Sequence, residues 1–110
     1  MKFTLKNSKE FGWEGLKGFV YNTKEDFPRA SAAFIEVAKR HGKGKSLESD
    51  KIYFVVSGKG RFEINGTEFL VEKNDVVIVP KNAVFDYEGR MKLFLVLAPA
   101  FNQKTEVKLE

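Results

Sequence analysis

The sequence predicts an all-β domain of two packed antiparallel sheets with at most one short helical turn. Three observations carry that expectation. Short apolar runs recur between turn signals; no helical period persists beyond two turns; and the aromatic residues, 14% of the chain with eleven Phe among them, are spread from Phe3 to Phe101, which implies one continuous core. A chain of 110 residues is expected to be one domain, 1–110, able to bury roughly two-thirds of its unfolded surface without a staple.

The elements follow in order. Residues 3–6, 16–21 and 32–37 predict three early strands. Thr23 and Asp26 stand at capping-box spacing, so residues 23–27 predict one helical turn, which Pro28 ends. Residues 52–56, Ile-Tyr-Phe-Val-Val, are β-branched or aromatic on both faces, and the strand they predict is central and covered twice. Ser57-Gly58-Lys59-Gly60 is expected to turn the chain. Phe62 and Ile64 then alternate with Arg61 and Glu63, the period of a strand with one buried face. Asn65-Gly66 is a type I′ hairpin signal, because that turn needs positive φ at both central residues, and a strand over residues 67–71 must follow. Lys73-Asn74-Asp75 breaks it. Val76–Val79 resumes until Pro80, which has no N–H to give a ladder. Residues 85–87 and 91–98 complete a series of about nine or ten strands. Residues 102–110 alternate weakly and read as an edge strand or a tail.

Composition excludes several kinds of chemistry. With no cysteine there is no disulfide framework, no thiolate nucleophile and no cysteine-ligated zinc or iron–sulfur site. The first residues, Met-Lys-Phe-Thr-Leu-Lys, lack the continuous apolar run of a signal peptide or membrane helix, so the chain is read as cytoplasmic with no membrane partner. The formal charge is +4, but the nineteen Lys and Arg are interspersed with fifteen Asp and Glu. That is a mixed solvated surface rather than a basic stripe with interleaved aromatics, and no nucleic-acid partner is expected.

The most specific pattern lies in residues 51–86. It reads Tyr53-Phe54-Val55-Val56-Ser57-Gly58, then Gly60-Arg61-Phe62-Glu63-Ile64, then Asn74-Asp75, Val76–Val79 and Pro80-Lys81-Asn82; the last apolar run ends in Pro99-Ala100-Phe101. Over about residues 30–101 this scaffold resembles a small single-domain cupin of the type 2 conserved-barrel family. The resemblance implies a jelly-roll β-barrel that pairs as a homodimer through its sheets.

Metal-binding members of that family carry His-x-His, then a Glu, then the hairpin glycine, and later a Pro-x-Gly motif before a final His. Counting back from Gly58 places Lys51 at the Glu. The two histidine positions fall on Lys45 and Leu47, or on Gly44 and Ser46, and counting forward from Pro80 places Phe85 at the last histidine. An ammonium and a phenyl ring offer a divalent ion no lone pair, so the expectation is no metal and no cofactor. A competing register, His41-Gly42-Lys43 followed by Glu48, imitates the first motif with one histidine replaced, and would supply two ligands where transition-metal sites normally need three or four.

If Lys51 points where the family's Glu does, strand alternation sends Tyr53 inward behind it, and Phe85 and Tyr87 enter from the facing sheet. That cluster reads either as an aromatic pocket able to stack a flat or sugar-like ligand, or as side chains filling a barrel with Lys51 reaching for its mouth. His41, the only histidine, lies among Lys39, Arg40, Lys43 and Lys45, which would favour its neutral form; it reads as a solvated loop residue or as a general base. The same basic segment with Gly42 and Gly44 reads as a flexible surface loop or as a contact for a phosphate or carboxylate. Glu36 is a pocket acid or faces solvent, Arg61 and Glu63 line the mouth or pair across strands, and Trp13 belongs to the core or a dimer interface.

The ligand-binding candidates are therefore Lys51, Tyr53, Phe85, Tyr87 and His41. The leading function is a metal-independent barrel binding a small organic, sugar-like ligand. Two others stay open: a cofactorless isomerase or epimerase using Tyr53, Lys51 or His41 for proton transfer, although the His–acid pair of sugar-epimerising relatives is not evident, and a non-catalytic interaction platform.

Overall fold

The computed structural model describes residues 1–110. The chain forms β1 (Lys9–Trp13), β2 (Leu16–Val20), β3 (Ser31–Val37), β4 (Gly44–Ser46), β5 (Asp50–Ile64), β6 (Thr67–Glu72), β7 (Val76–Val79), β8 (Phe85–Ala98) and β9 (Glu106–Lys108). Every pairing is antiparallel. The architecture is the cupin-like jelly-roll barrel expected from the sequence.

Two long strands organise it. β5 and β8 pair along nearly their whole lengths, from Asp50 opposite Ala98 to Ile64 opposite Phe85. The first half of β5 also pairs with β7, and the second half of β8 with β3, which gives one sheet in the order β1-β2-β3-β8-β5-β7. The other halves pair with β6 and β4, and β9 extends that second sheet beyond β4. The same two strands thus cross from one sheet to the other, and the sheets close over a core that includes Leu16, Ile35, Tyr53, Val55, Phe62, Phe85, Tyr87, Leu93 and Leu95.

The crossing corrects two expectations. Ser57-Gly58-Lys59-Gly60 does not turn the chain; it bends a continuous β5, with a register shift between Val55 and Ser57 and Gly58 at φ +80°. Likewise residues 85–87 and 91–98 are one strand rather than two. Gly60 lies opposite Gly89, where a Cβ on Gly89 would sit 2.5 Å from the Gly60 Cα, so only paired glycines let the two backbones cross this closely.

Local hydrogen bonding explains other departures. Residues 3–6 are not a strand: the Thr4 hydroxyl accepts from the Asn7 N–H, the Ser8 hydroxyl donates to the Leu5 carbonyl, and a 3-10 turn forms at Leu5–Asn7. Residues 23–27 make a turn without a helix, in which the Thr23 N–H donates to Asp26 Oδ2 at 2.9 Å. β1 went unread because all five of its residues are exposed and show no alternation, and β4 because it has only three residues. Asn65 and Gly66 have φ of 48° and 84°, the type I′ turn expected. Residues 106–108 form the edge strand foreseen as one reading of the tail. No helix is long and apolar enough to cross a membrane.

Residues 52–56 are covered once, not twice: Ile52 is 44% and Phe54 37% exposed in the single chain.

Gly58→Ala should lower stability by about 2–3 kcal/mol, since positive φ is joined by a Cβ 2.2 Å from the Arg90 carbonyl oxygen. Gly66→Ala, also at positive φ but facing open space, should lose only about 1 kcal/mol. Urea unfolding of both variants measures the difference; equal losses would refute the close-approach account of the bend.

Candidate functional site

The crossing strands bring four of the five expected residues together. On β5, Lys51 and Tyr53 point inward at 6% and 1% exposure; on β8, Phe85 and Tyr87 do so at 1% and 2%. Tyr53 and Tyr87 meet edge to face with ring centroids 5.3 Å apart, and Phe62 stacks on Tyr87 at 4.7 Å. Lys51 Nζ lies 4.6 Å from the centre of the Phe85 ring.

His41 completes the cluster from the connection between β3 and β4. Its ring packs 4.7 Å from Tyr87 and 5.1 Å from Phe85, with Trp13 against it edge-on at 5.4 Å. It is not a solvated loop residue. Its pKa lies below the ordinary 6.5, first because of burial and further because of Lys51, with the hydrogen bond to Gly42 opposing both. The neighbouring cations expected to favour the neutral ring are not the cause. Nδ1 lies 2.7 Å from the Gly42 carbonyl oxygen, which can only accept, so Nδ1 carries the proton and Nε2 the lone pair.

Glu106 is the residue the sequence did not reveal. It comes from β9 and receives Lys51 Nζ on Oε1 at 2.7 Å, with both side chains largely shielded, 7% and 19% exposed. No spacing rule joins residues 51 and 106; the pair exists because β9 docks on β4. Glu106 Oε2 and the Tyr87 hydroxyl are buried without a hydrogen-bond partner, an arrangement that leaves two polar atoms able to receive a water or a ligand group. Burial pushes both tyrosine hydroxyls up, and Tyr53 is raised further by Tyr87, so both are neutral O–H donors at neutral pH.

A cleft of about 370 Å³ lined by Arg40, Lys43, Arg61, Asp86, Tyr87 and Glu88 among others reaches the cluster at Tyr87, whereas a larger one of about 500 Å³, near Lys59, Leu70 and Asp75, does not touch it. Arg61 pairs across strands with Glu88 and with Glu68, and Glu36 faces outward near Lys92 at 4.0 Å. Trp13 is an exposed edge-strand residue rather than part of the core.

The donor set does not suit the divalent metal that cupins commonly hold. Where the family's ligands would converge stand the Lys51 amine, already on Glu106, and the Phe85 ring, and no group of three His, Cys, Asp or Glu side chains gathers anywhere in the chain.

The curled antiparallel barrel, closed by two long strands shared between its sheets, is that of a cupin-fold protein. The chain belongs to the family of small cupin-fold barrels that includes Pac13 of Streptomyces, a nucleoside dehydratase: the two share 31% identity over 100% of this chain and 91% of that one, with a TM-score of 0.92. Variants of that protein with a His→Gln or either of two Tyr→Phe replacements, each with uridine, superpose equally well, at 30% identity with TM-scores of 0.91 to 0.92. KdgF from Halomonas shares the fold at 14% identity and a TM-score of 0.79, over 93% of this chain and 96% of that one. Bacillus subtilis oxalate decarboxylase does so at 13% and 0.83, over 97% of this chain and 32% of that one. No protein-family model and no curated protein sequence matches.

Lys51→Met should destabilise the protein by about 3–5 kcal/mol, because it strands the shielded Glu106 carboxylate, and Lys51→Met with Glu106→Leu should recover most of the loss. Chemical denaturation checks this; a single variant as stable as the parent would show that the pair is solvated.

Proposed function

We propose that this protein is a metal-independent lyase that removes water from a small nucleoside-like or sugar-like substrate, with His41 as the base. One observation carries the reading: His41 and Tyr53, from two other segments, both pack against Tyr87, so three separate parts of the chain meet in one cluster. The comparison lends support. The two tyrosines replaced in the uridine-bound variants of Pac13 are spaced as Tyr53 and Tyr87 are here, and the replaced histidine precedes the first tyrosine by one residue more than His41 does.

The chemistry suits the groups. A neutral imidazole with Nε2 free takes a proton from a carbon made acidic by an adjacent carbonyl, since a base this weak cannot deprotonate an unactivated carbon. The electron pair left by that C–H bond forms a carbon–carbon double bond as the neighbouring C–O bond breaks. The departing hydroxyl takes the proton back from His41 and leaves as water. The Tyr53 and Tyr87 hydroxyls, kept neutral by burial, donate hydrogen bonds to substrate oxygens, and burial, aided by the Lys51 charge, favours the neutral form of His41.

The working form we propose is a homodimer. In the first sheet, Phe19, Phe34, Phe94, Phe54 and Val76 stand side by side across five strands on the face opposite the core, and Ala32, Val96, Ile52 and Ile78 form the next row. The five most exposed of these, between 36% and 59%, present on the order of 400 Å² of apolar surface, large for a face left to water. With the half-buried members and the charged rim of Lys17, Glu36 and Lys92, the face approaches the roughly 800 Å² that each partner gives a standard interface. A second copy supplies the missing cover of Ile52 and Phe54.

Incubation with uridine-type nucleosides carrying an oxidised sugar carbon should give a product lighter by one water, read by mass spectrometry. His41→Gln should slow it by about 10²–10⁴-fold, Tyr53→Phe less, and the rate should fall as the pH is lowered and His41 takes up a proton, with a midpoint below pH 6.5. A wild-type rate in His41→Gln refutes the assignment; binding without turnover would leave a binding module. Sedimentation should give a dimer that Phe54→Lys with Phe94→Lys converts to a folded monomer, and a wild-type monomer at tens of micromolar would refute the interface.

A further inference from the structure

No acid touches the His41 ring, yet one holds the chain on either side of it. Asp86, 8% exposed on β8, accepts from the Arg40 guanidinium on Oδ2 at 2.6 Å and from the Gly42 N–H on Oδ1 at 2.8 Å. Oδ1 also accepts from the Tyr87 N–H at 2.8 Å, and the His41 N–H donates to the Tyr87 carbonyl at 2.8 Å. Three consecutive residues, 40 to 42, are therefore tied to the dipeptide 86–87. Apart from Asp86, the side-chain bonds made by these three are the pairing of Arg40 with Glu110 and the ring of His41 on the Gly42 carbonyl.

We propose that Asp86 is the orienting acid of His41, acting through the backbone: by fixing Gly42 it presents the Gly42 carbonyl to Nδ1–H, selects that tautomer, and leaves Nε2 as the basic nitrogen. In the familiar His–acid arrangement the carboxylate touches the ring, fixes its tautomer and stabilises its charged form. Here the two effects are separated. Arg40 balances the Asp86 charge, and a neutral carbonyl sets the tautomer, so the ring is oriented without a carboxylate against it; the Gly42 bond supports its basicity while burial still holds the pKa below the ordinary value. In keeping with this, Lys51 weighs more than Asp86 among the influences on His41. This role deepens the reading of His41 as a base, and makes Asp86 a positioning residue rather than a catalytic one.

With a single histidine, imidazole ¹⁵N resonances report one ring without ambiguity. The wild-type chain without substrate should show the Nδ1–H tautomer as the dominant neutral form. Asp86→Ala should shift the ring toward the tautomer mixture of free histidine, Asp86→Asn should fall between, and Arg40→Met, which spares the Gly42 contact, should keep the wild-type tautomer. A dominant Nε2–H tautomer in the wild type, or an unchanged tautomer in a folded Asp86→Ala variant, would overturn the proposal; the first needs no variant to fold. The readout needs no turnover, so failure of the lyase reading would leave it standing. Where turnover is measured, Asp86→Ala should lower kcat at least tenfold with little change in KM, and Asp86→Asn should restore part of it.

Discussion

The constraint on which the rest depends is that β5 and β8 remain paired while passing from one sheet to the other. A flat pair of this length would build one broad sheet with an exposed face on each side. The register shift after Val55 and the opposed Gly60 and Gly89 instead let both strands bend together, and the sheets close. Closure brings the first half of β5, with Lys51 and Tyr53, over the first half of β8, with Phe85 and Tyr87. The site is thus a consequence of the bend, and its four strand residues take their positions from backbone pairing rather than from contacts with one another.

Electrostatics then sort the roles inside. Shielding a charge is expensive unless it is paired, and Lys51 and Glu106 meet that condition with each other. The same shielding acts on His41 and on the two tyrosines in a different way, by favouring the neutral forms. A neutral imidazole beside neutral O–H donors, with a balanced cation nearby, is the arrangement on which the proposed proton transfer rests. A divalent metal would require several free lone pairs at the same point, and Lys51 and Phe85 stand there instead.

The two faces of the first sheet divide the labour. The inner face carries the polar cluster in an aromatic setting, and the outer face carries rows of Phe, Ile and Val with little polar relief. Both follow from strand alternation, since Lys51, Tyr53 and Val55 point one way and Ile52 and Phe54 the other. A partner on the outer face would stiffen the strands that hold the inner one without entering the site. Asp86 has a comparable relation to His41: it shapes the histidine's loop from the back of β8 while Tyr87, the next residue, packs against the ring.

Wherever local chemistry suffices, the sequence alone determined the structure. Short apolar runs between turn signals gave the strands near Leu16–Val20, Ser31–Val37 and Val76–Val79; Asn65-Gly66 gave its turn through positive φ and with it the returning strand at Thr67–Glu72; and the inward set Lys51, Tyr53, Phe85 and Tyr87 followed from counting along a recognised scaffold. It misread Ser57 to Gly60, since glycine beside a charged residue looks the same in a turn and in a bend, and it missed β1, whose five exposed residues carry no alternation. Only the tertiary structure joined Lys51 to Glu106, carried His41 from a basic loop onto the aromatic cluster, and set Asp86 behind it. Those contacts span 44 or more positions in the chain, and they are fixed by which strands pair, a choice made by the whole core at once rather than by any local run of residues.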